Sequence, residues 1–418
     1  MYKRIKTLLN TQTVRQSSIT TISTFASAGL GAVFYLVLAR VLGSSEYGLF
    51  TLCLTILITI VTVADVGMGQ GIIRFIGEHR NSEKYLGYAN FALKTKIVLG
   101  VVSWVGLMVF SSTIARLLGQ PSLQRVLPVV GFGVFSYVLA SYAFTMLQAM
   151  QKFVVWGGLQ IGSNLVRLMF LWILSWFTRI DAYSALLVFS LTSFISFVLS
   201  WFWLDRKIFS APSSKDHAFH FWDFNKWTAS FSMLSAVVSR LDIFLASKYL
   251  SLSTVGTYSL AVTMVSFLPQ LSVAIGAVTS AKFANKSDGV DARNYLKKAS
   301  IFSTLIGLGV SLLMVPTAYI VVYFAGSEYL ASLAPFLVLL LAQIVFMAGN
   351  PLRDFILYFM RTPKIFFWTA VVQGIVILAA GTWLIPIYQT SGIAISVLIS
   401  QIVLGFMCLV YFFHNKNR

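Results

Sequence analysis

Apolar runs of about 20 residues recur almost from one end of this chain to the other, and a helix of that length crosses a hydrocarbon core of roughly 30 Å. Of its 418 residues, 58% are hydrophobic, 15% aromatic and only 11% charged, too little polar surface to cover a water-soluble globule of this size. Lipid must therefore act as solvent, and the fold class expected is an all-α polytopic membrane protein. Twelve spans are placed at 17–39, 47–69, 90–112, 125–149, 154–177, 182–204, 226–248, 255–280, 298–324, 332–358, 364–386 and 390–413. They divide into two sets of six. Residues 1–204 and 226–418 are expected to form an N-terminal and a C-terminal six-helix bundle, joined by a cytoplasmic linker at 205–225 whose Pro-Ser-Ser punctuation marks a connector. The first segment reads as an uncleaved helix, because it runs to Ala39 without a small-x-small cleavage site. Cys53 and Cys408 lie inside apolar runs without metal-ligand spacing and read as packing residues.

Charge orients the array. With both termini cytoplasmic, the inner segments hold Lys3, Arg4, Lys6 and Arg15, then Arg74, Arg80, Lys84, Lys94 and Lys96, and further on Lys152, Arg206, Lys207, Lys215 and Lys226. Lys282, Lys286, Arg293, Lys297, Lys298, Arg361, Lys364, Lys416 and Arg418 continue the pattern, whereas Arg40, Arg116, Arg125, Arg179 and Lys248 fall in outer segments. This positive-inside bias supports an even number of spans and a multi-pass protein of the cell (inner, cytoplasmic) membrane. Most of the formal charge of +18 is then explained by topology and by contact with anionic membrane lipids, with no need of a nucleic-acid partner.

One join is written twice. "ARVLGSSEYGLFTL" (39–52) and "SKYLSLSTVGTYSL" (247–260) align at a constant spacing of 208 residues, matching Arg40 with Lys248, Leu42 with Leu250, Ser45 with Ser253, Gly48 with Gly256 and Leu52 with Leu260. At the same spacing Arg74-Phe75 meets Lys282-Phe283, and Pro128 and Pro335 correspond within one residue. Two parallel repeats of six spans are expected, each with this join as its first outer loop.

Charge deep in a span costs about 2.5–3.5 kcal/mol on insertion scales, so every such residue needs a partner, a cavity or water. Asp65, Arg167, Arg240, Asp242, Arg353 and Asp354 qualify. In the seventh span Ser232, Ser235, Ser239 and Asp242 share one stripe at helical spacing, and in the tenth Gln343, Asn350 and Asp354 share a narrow arc beside Pro351. The fifth groups Gln160, Ser163, Asn164 and Arg167, and the eighth Ser259, Thr263, Ser266 and Gln270. Such stripes suggest a shared aqueous cavity, although hydroxyl stripes also mark close helix packing and a buried aspartate near an arginine is often a structural ion pair. Arg74 and Lys282 sit near the inner interface, where basic residues are expected in any case.

No catalytic residue is expected and the chain does not read as an enzyme. His79, His217, His220 and His414 lack the carboxylate or cysteine neighbours of a metal site, and "GMGQG" (67–71) ends a membrane helix rather than following a strand. "LARVLGSSEYGLFTL", "ADVGMGQGIIRFIG", the basic segment after it and the two sets of six spans together resemble the polysaccharide transporter family of the MOP exporter superfamily, which includes the O-antigen flippases. The resemblance covers essentially the full length.

It implies two six-helix bundles around a central cavity, moving a polyprenyl-diphosphate-linked oligosaccharide (O-antigen, other lipopolysaccharide, capsule or exopolysaccharide unit) from inner to outer leaflet by alternating access. Arg74, Arg167, Arg240, Lys282 and Arg353 are then the positions for diphosphate or acidic-sugar contact. Asp242, Asp354 and Asp65 are those for coupling to a proton or sodium ion, with no other cofactor. Glycosyltransferases and a polysaccharide polymerase would be partners. Three alternatives stand beside this reading. A multidrug extrusion protein of the same superfamily would want a more acidic cavity, a major-facilitator carrier a different loop after its second helix, and a non-transporting scaffold for glycan assembly has no use for charge at mid-membrane depth. Cysteine placed at Ser44, in the outer loop 40–46, is expected to react with an impermeant thiol reagent from outside in a background lacking Cys53 and Cys408. Labelling only after permeabilisation would reverse the topology.

Overall fold

Every long apolar run is helical in the computed structural model, which describes residues 12–213, 215–285 and 288–415. The basic residues Lys3, Arg4, Lys6, Lys286, Lys416 and Arg418 lie outside the described residues. The first helical stretch, Gln12–Asp65, is divided at Gly43 (φ 71°) into α1 (12–42) and α2 (44–65). There follow α3 (Met68–His79), α4 (Lys84–Val109), α5 (Ser111–Leu117), α6 (Leu123–Ala149), α7 (Phe153–Phe177) and α8 (Ala182–Ser200). The second half comprises α9 (Lys215–Val238), α10 (Leu241–Tyr249), α11 (Leu252–Val265), α12 (Phe267–Ala284), α13 (Gly289–Ala325) and α14 (Leu333–Asp354). Lys364–His414 is divided at Gln389 (φ 48°) into α15 (364–388) and α16 (390–414).

All twelve expected spans are therefore helical, but several are broken inside. The second runs α2–α3 across Val66 (φ 46°) and Gly67 (φ 69°), and the seventh runs α9–α10 across Ser239 and Arg240. The eighth breaks at Ser266 between α11 and α12, and the tenth passes from α14 into a π-helical turn, Phe355–Phe359. The stretch read as a linker, 205–225, holds a short 3₁₀ turn, Arg206–Phe209, and the first part of α9. Phe221 and Asn225 of α9 are buried against Gly71 of α3, so this segment packs as part of the fold.

By internal contact the chain forms two compact units: unit 1 comprises Met1–Leu42, Cys53–Arg116 and Pro121–Ala236, and unit 2 comprises Gly43–Leu52, Leu117–Gln120 and Val237–Arg418. In unit 1, α6 is the central helix, packed by α3, α4 and α8, and Pro128 stands near its start. In unit 2, α14 is central, packed by α11, α12, α13 and the α15–α16 stretch, with Pro335 near its start. The fourth and tenth spans thus hold the same place in their own units.

The join written twice folds against its own copy within unit 2. Gly48 and Gly256 approach so closely that a Cβ on Gly48 would overlap the Leu252 carbonyl, and one on Gly256 would overlap the carbonyl of Ser44. Around this crossing the Ser44 and Ser253 hydroxyls share a hydrogen bond of 2.7 Å, and Thr51 donates to Ser259 at 3.0 Å. Glu328 accepts from Ser44 at 2.8 Å, while Gln120 donates to the carbonyls of Ser247 and Leu250 at 2.7 and 3.0 Å. These contacts leave Ser44 only 6% exposed, so Ser45, which is exposed, is the position to label in the topology experiment.

Overpacking a close helix crossing costs about 1–3 kcal/mol. Gly48→Ala and Gly256→Ala are each expected to lower the melting temperature of the purified protein by several degrees. Gly162→Ala, whose new methyl meets nothing, is expected to leave it unchanged. Equal melting of all three variants would show that the crossing is loose.

Candidate functional site

Three polar clusters at membrane depth hold the charged residues singled out by sequence, one side-chain environment at a time. In unit 1, Asp65 ends α2. Its Oδ1 accepts from Lys96 Nζ at 2.5 Å and its Oδ2 accepts from the backbone amide of Gly69 at 3.1 Å, so the carboxylate also caps α3 across the Val66–Gly67 break. Lys96 gives a second hydrogen bond to Ser141 at 2.8 Å. Its side chain is about 1% exposed against 28% for Asp65. This corrects the reading of Lys96 as an inner-segment charge: two residues earlier Lys94 is exposed, but Lys96 faces α6. It answers the demand that Asp65 find a partner.

Ser141 also lines a cavity of about 220 Å³ within unit 1, together with Tyr137, Thr145, Gln148, Gln160 and Ser193. On the Ser193 side lies Arg167 of α7. Its guanidinium donates to Thr192 (3.0 Å), Ser193 (3.3 Å) and Asn164 (3.4 Å) and lies 4.0 Å from the centroid of Phe189. Asn164 in turn donates to the Ser27 hydroxyl of α1 at 2.8 Å. The polar group read on the fifth span and the serine-rich face of the first therefore bond to each other. Among the described residues no carboxylate is found within ion-pair distance of Arg167, in contrast to the Lys96–Asp65 pair.

The stripe read along the seventh span is interrupted. Arg240 stands at the N-cap of α10 with non-helical backbone (φ −124°, ψ 2°), so Ser232 and Ser235 belong to α9, Ser239 to the break and Asp242, in unit 2, to the first turn of α10. Asp242 Oδ2 accepts from the Tyr258 hydroxyl at 2.8 Å. Its Oδ1 is buried near the amides of 242 and 243, with no well-directed donor among the described residues. Tyr258 is the matched partner of Phe50 in the repeat; its hydroxyl distinguishes the second copy from the first.

The third cluster joins α14 to α12 in unit 2. Asp354 accepts from the Thr279 hydroxyl, and Asn350 donates to the Ser272 carbonyl at 3.2 Å, both over Gly276, which offers no side chain to obstruct them. Arg353 turns away from its neighbour Asp354. It donates to the Phe346 carbonyl (2.9 Å) and to Asn350 Oδ1 (3.1 Å), and its guanidinium lies 3.9 Å from the Phe346 ring centroid. Each member of the Arg353-Asp354 pair thus bonds elsewhere. Arg74 in the middle of α3 and Lys282 near the end of α12 are exposed, at 5.5 and 5.2 Å from the rings of Phe75 and Tyr295.

The profile of the polysaccharide biosynthesis protein family matches residues 37–334, more than half of the chain. The chain belongs to that family. No curated protein matches it. Among solved structures it is similar to the lipid II flippase MurJ in an inward closed conformation, with a TM-score of 0.77 and 16% identity, over 95% of this chain and 87% of that one. An inward-facing multidrug resistance MATE family transporter of the MOP superfamily gives 0.76 at 13% identity, over 96% and 97%. A MOP superfamily transporter from Pyrococcus furiosus, described by the reverse polarity of its binding pocket, gives 0.61 at 13%, over 95% and 92%. The fold is thus the all-α polytopic fold seen in these solved transporters, and its helices long and apolar enough to cross a membrane make this family member a multi-pass membrane protein.

Removing one partner of a buried ion pair leaves an unpaired charge, at a cost of roughly 3–5 kcal/mol. Lys96→Met and Asp65→Asn are each expected to destabilise the protein toward the lower end of that range, since Asp65 keeps some exposure. The double variant is expected to recover more than half of the loss. Additive losses in thermal unfolding would show that the pair carries no coupling.

Proposed function

We propose that the chain moves a polyprenyl-diphosphate-linked oligosaccharide of a surface polysaccharide from the inner to the outer leaflet of the cytoplasmic membrane, with both termini cytoplasmic. The observation that carries the reading is the state of two mid-membrane arginines. Arg167 in unit 1 and Arg353 in unit 2 are each seated on a phenylalanine face and bonded to neutral oxygens, with no carboxylate in direct ion-pair contact among the described residues. Uncompensated cations inside hydrocarbon are costly unless an anion visits them. A diphosphate is such an anion, and its own desolvation would forbid unaided crossing, whereas a prenyl tail stays in lipid throughout. Arg240, at a helix break beside Asp242, is a third basic position, and Arg74 in α3 and Lys282 near the end of α12 supply exposed positive charge. The family membership and the likeness to a lipid II flippase support this reading.

Alternating access completes the cycle. Asp242 and Asp354 are the carboxylates available to a proton or sodium ion, because each faces a single hydroxyl rather than a lysine. Asp65 is held by Lys96 and is the weakest of the three for this role. An ion bound there biases transport only if the inward- and outward-open states differ in affinity for it. Glycosyltransferases that build the glycan and a polymerase that consumes it would act on either side. The similarity to multidrug transporters keeps cation-coupled drug extrusion as a second reading, but unpaired arginines repel cationic drugs.

Arg167→Ala and Arg353→Ala are expected to reduce glycan export at least tenfold with near-normal protein abundance, about 1.4 kcal/mol or more of lost binding. Lysine is expected to restore export only partly, since it lacks the planar fork. In proteoliposomes a proton or sodium gradient should accelerate flipping in the native protein and not in Asp242→Asn. Full export by the double alanine variant would refute the anion reading, and a gradient response retained in Asp242→Asn would move coupling elsewhere.

A further inference from the structure

A second cavity, of about 870 Å³, lies in unit 1 away from the mid-membrane charges, among α3, α4, the Arg206–Phe209 turn and the start of α9. Tyr88 of α4 is its organising residue. Its ring stacks on Phe75 (centroids 5.1 Å apart), meets His217 edge-on at 4.4 Å and lies 5.3 Å from His79, and its hydroxyl shares a hydrogen bond of 2.9 Å with His220 Nδ1. Three histidines from two segments far apart in sequence are thus gathered on one phenol. His79 Nδ1 donates to the Phe75 carbonyl at 2.9 Å, which fixes its tautomer and leaves Nε2 as the other nitrogen. Gly87 makes room for His217, because a Cβ there would lie 2.6 Å from the imidazole.

The fourth wall is built as deliberately. Asn90 donates to the carbonyls of Ile208 and Phe209 at 2.5 and 3.1 Å, tying the 3₁₀ turn to α4, and Asp205 caps the turn by accepting from the Lys207 amide at 2.9 Å. Lys207 is thereby carried to the cavity, opposite Lys84. Among the described residues, Glu83 and Lys84 at the start of α4 and Lys207 on the turn line the cavity with the histidines, while Glu78 on α3 and Asp216 on α9 act electrostatically on Tyr88, and Asp216 also on His217. Of the acids, Glu83 is taken up by Lys207 at 3.5 Å. Burial holds His217 below the usual histidine range, and an anion beside it would act against that shift.

The same segment carries the signature of a membrane–water interface. Phe202, Phe209, Phe219 and Trp222 are large aromatic side chains more than half exposed, on the stretch that supplies Lys207, His217 and His220. Free phosphate would need no such surround; a lipid headgroup would sit beside it.

We propose that this cavity binds the phosphate of an anionic membrane phospholipid, through His79, His217, His220, Lys84 and Lys207, as a site separate from the transport charges. The lipid tails lie along the exposed aromatic residues, and the headgroup phosphate takes the imidazole and ammonium donors. Binding strengthens as pH falls, because a phosphodiester stays anionic while the His217 imidazole, which burial disfavours in its charged form, gains a proton beside it.

Full-length protein in phosphatidylcholine nanodiscs, titrated with short-chain phosphatidylglycerol at pH 6 and pH 8, tests this. Saturable binding is expected, about tenfold tighter at pH 6, the worth of roughly one charge-assisted hydrogen bond. The His217→Gln/His220→Gln variant is expected to lose most of that pH dependence. Lys207→Gln, at a side chain 68% exposed and therefore safe for folding, is expected to weaken binding severalfold at both pH values. Displacement of the lipid by submillimolar inorganic phosphate would assign the site to the free anion and overturn the lipid reading. Equal binding by the variants, or no preference over phosphatidylcholine, would overturn the site itself. The readout is binding and not export, so it fails or stands apart from the transport proposal.

Discussion

Hydrocarbon offers an ionised side chain nothing with which to complete its solvation, so each charge at membrane depth must be met by the protein's own groups. The ways in which this is done organise the fold. Asp65 receives an ammonium and a backbone amide, Asp242 a phenol, Asp354 a hydroxyl. All three aspartates also stand at helix discontinuities: the end of α2, the first turn of α10 and the passage from α14 into a π turn. A broken helix exposes amides and carbonyls that hydrocarbon cannot satisfy, and a charged side chain beside the break both uses and satisfies them. Charge and break are therefore one feature, seen from the side chain and from the main chain.

The compensation is unequal, and that inequality carries chemical meaning. Lys96 neutralises Asp65 permanently and ties α2, α4 and α6 together, a structural use of charge. Arg167 and Arg353 are met by rings and neutral oxygens, which stabilise a guanidinium without cancelling it. In the proposed cycle, binding at such a guanidinium or at a hydroxyl-bonded carboxylate would be reversible, because neither is held in a direct ion pair.

Sequence reading recovered the spans because length and apolarity are local properties; the matched Pro128 and Pro335 prove to lie near the starts of the two central helices, which the match alone did not single out. It missed what depends on distant partners or strained backbone. Lys96 follows exposed Lys94 by two residues and reads as another flanking charge; only Asp65, 31 residues away, identifies it. Val66 adopts a left-handed conformation that a β-branched residue avoids, so no propensity argument places a break there. Ser239 and Arg240 carry no glycine or proline signal, and a stripe drawn through them assumed a helical phase that the break resets. The segment 205–225 looked like a connector because of Pro212 and its serines. The burial of Phe221 and Asn225 against α3 was invisible without the α3 turn that presents Gly71.

The crossing at Gly48 and Gly256 has a local two-fold character: Gly48 meets the carbonyl of Leu252 as Gly256 meets that of Ser44, and Thr51 bonds to Ser259, its own counterpart 208 residues on. A residue on such an axis faces its own equivalent. An ionised side chain there would confront the same charge, and a bulky one the same bulk, so the positions are limited to groups that tolerate themselves: glycine against glycine, or a hydroxyl that both donates and accepts. Away from the axis the restriction lifts. Gln120 and Glu328 stand in near-equivalent places, and one offers donors to carbonyls while the other accepts from a hydroxyl. In a chain that carries both copies covalently, divergence begins off the axis, and the axis keeps the record of the original match.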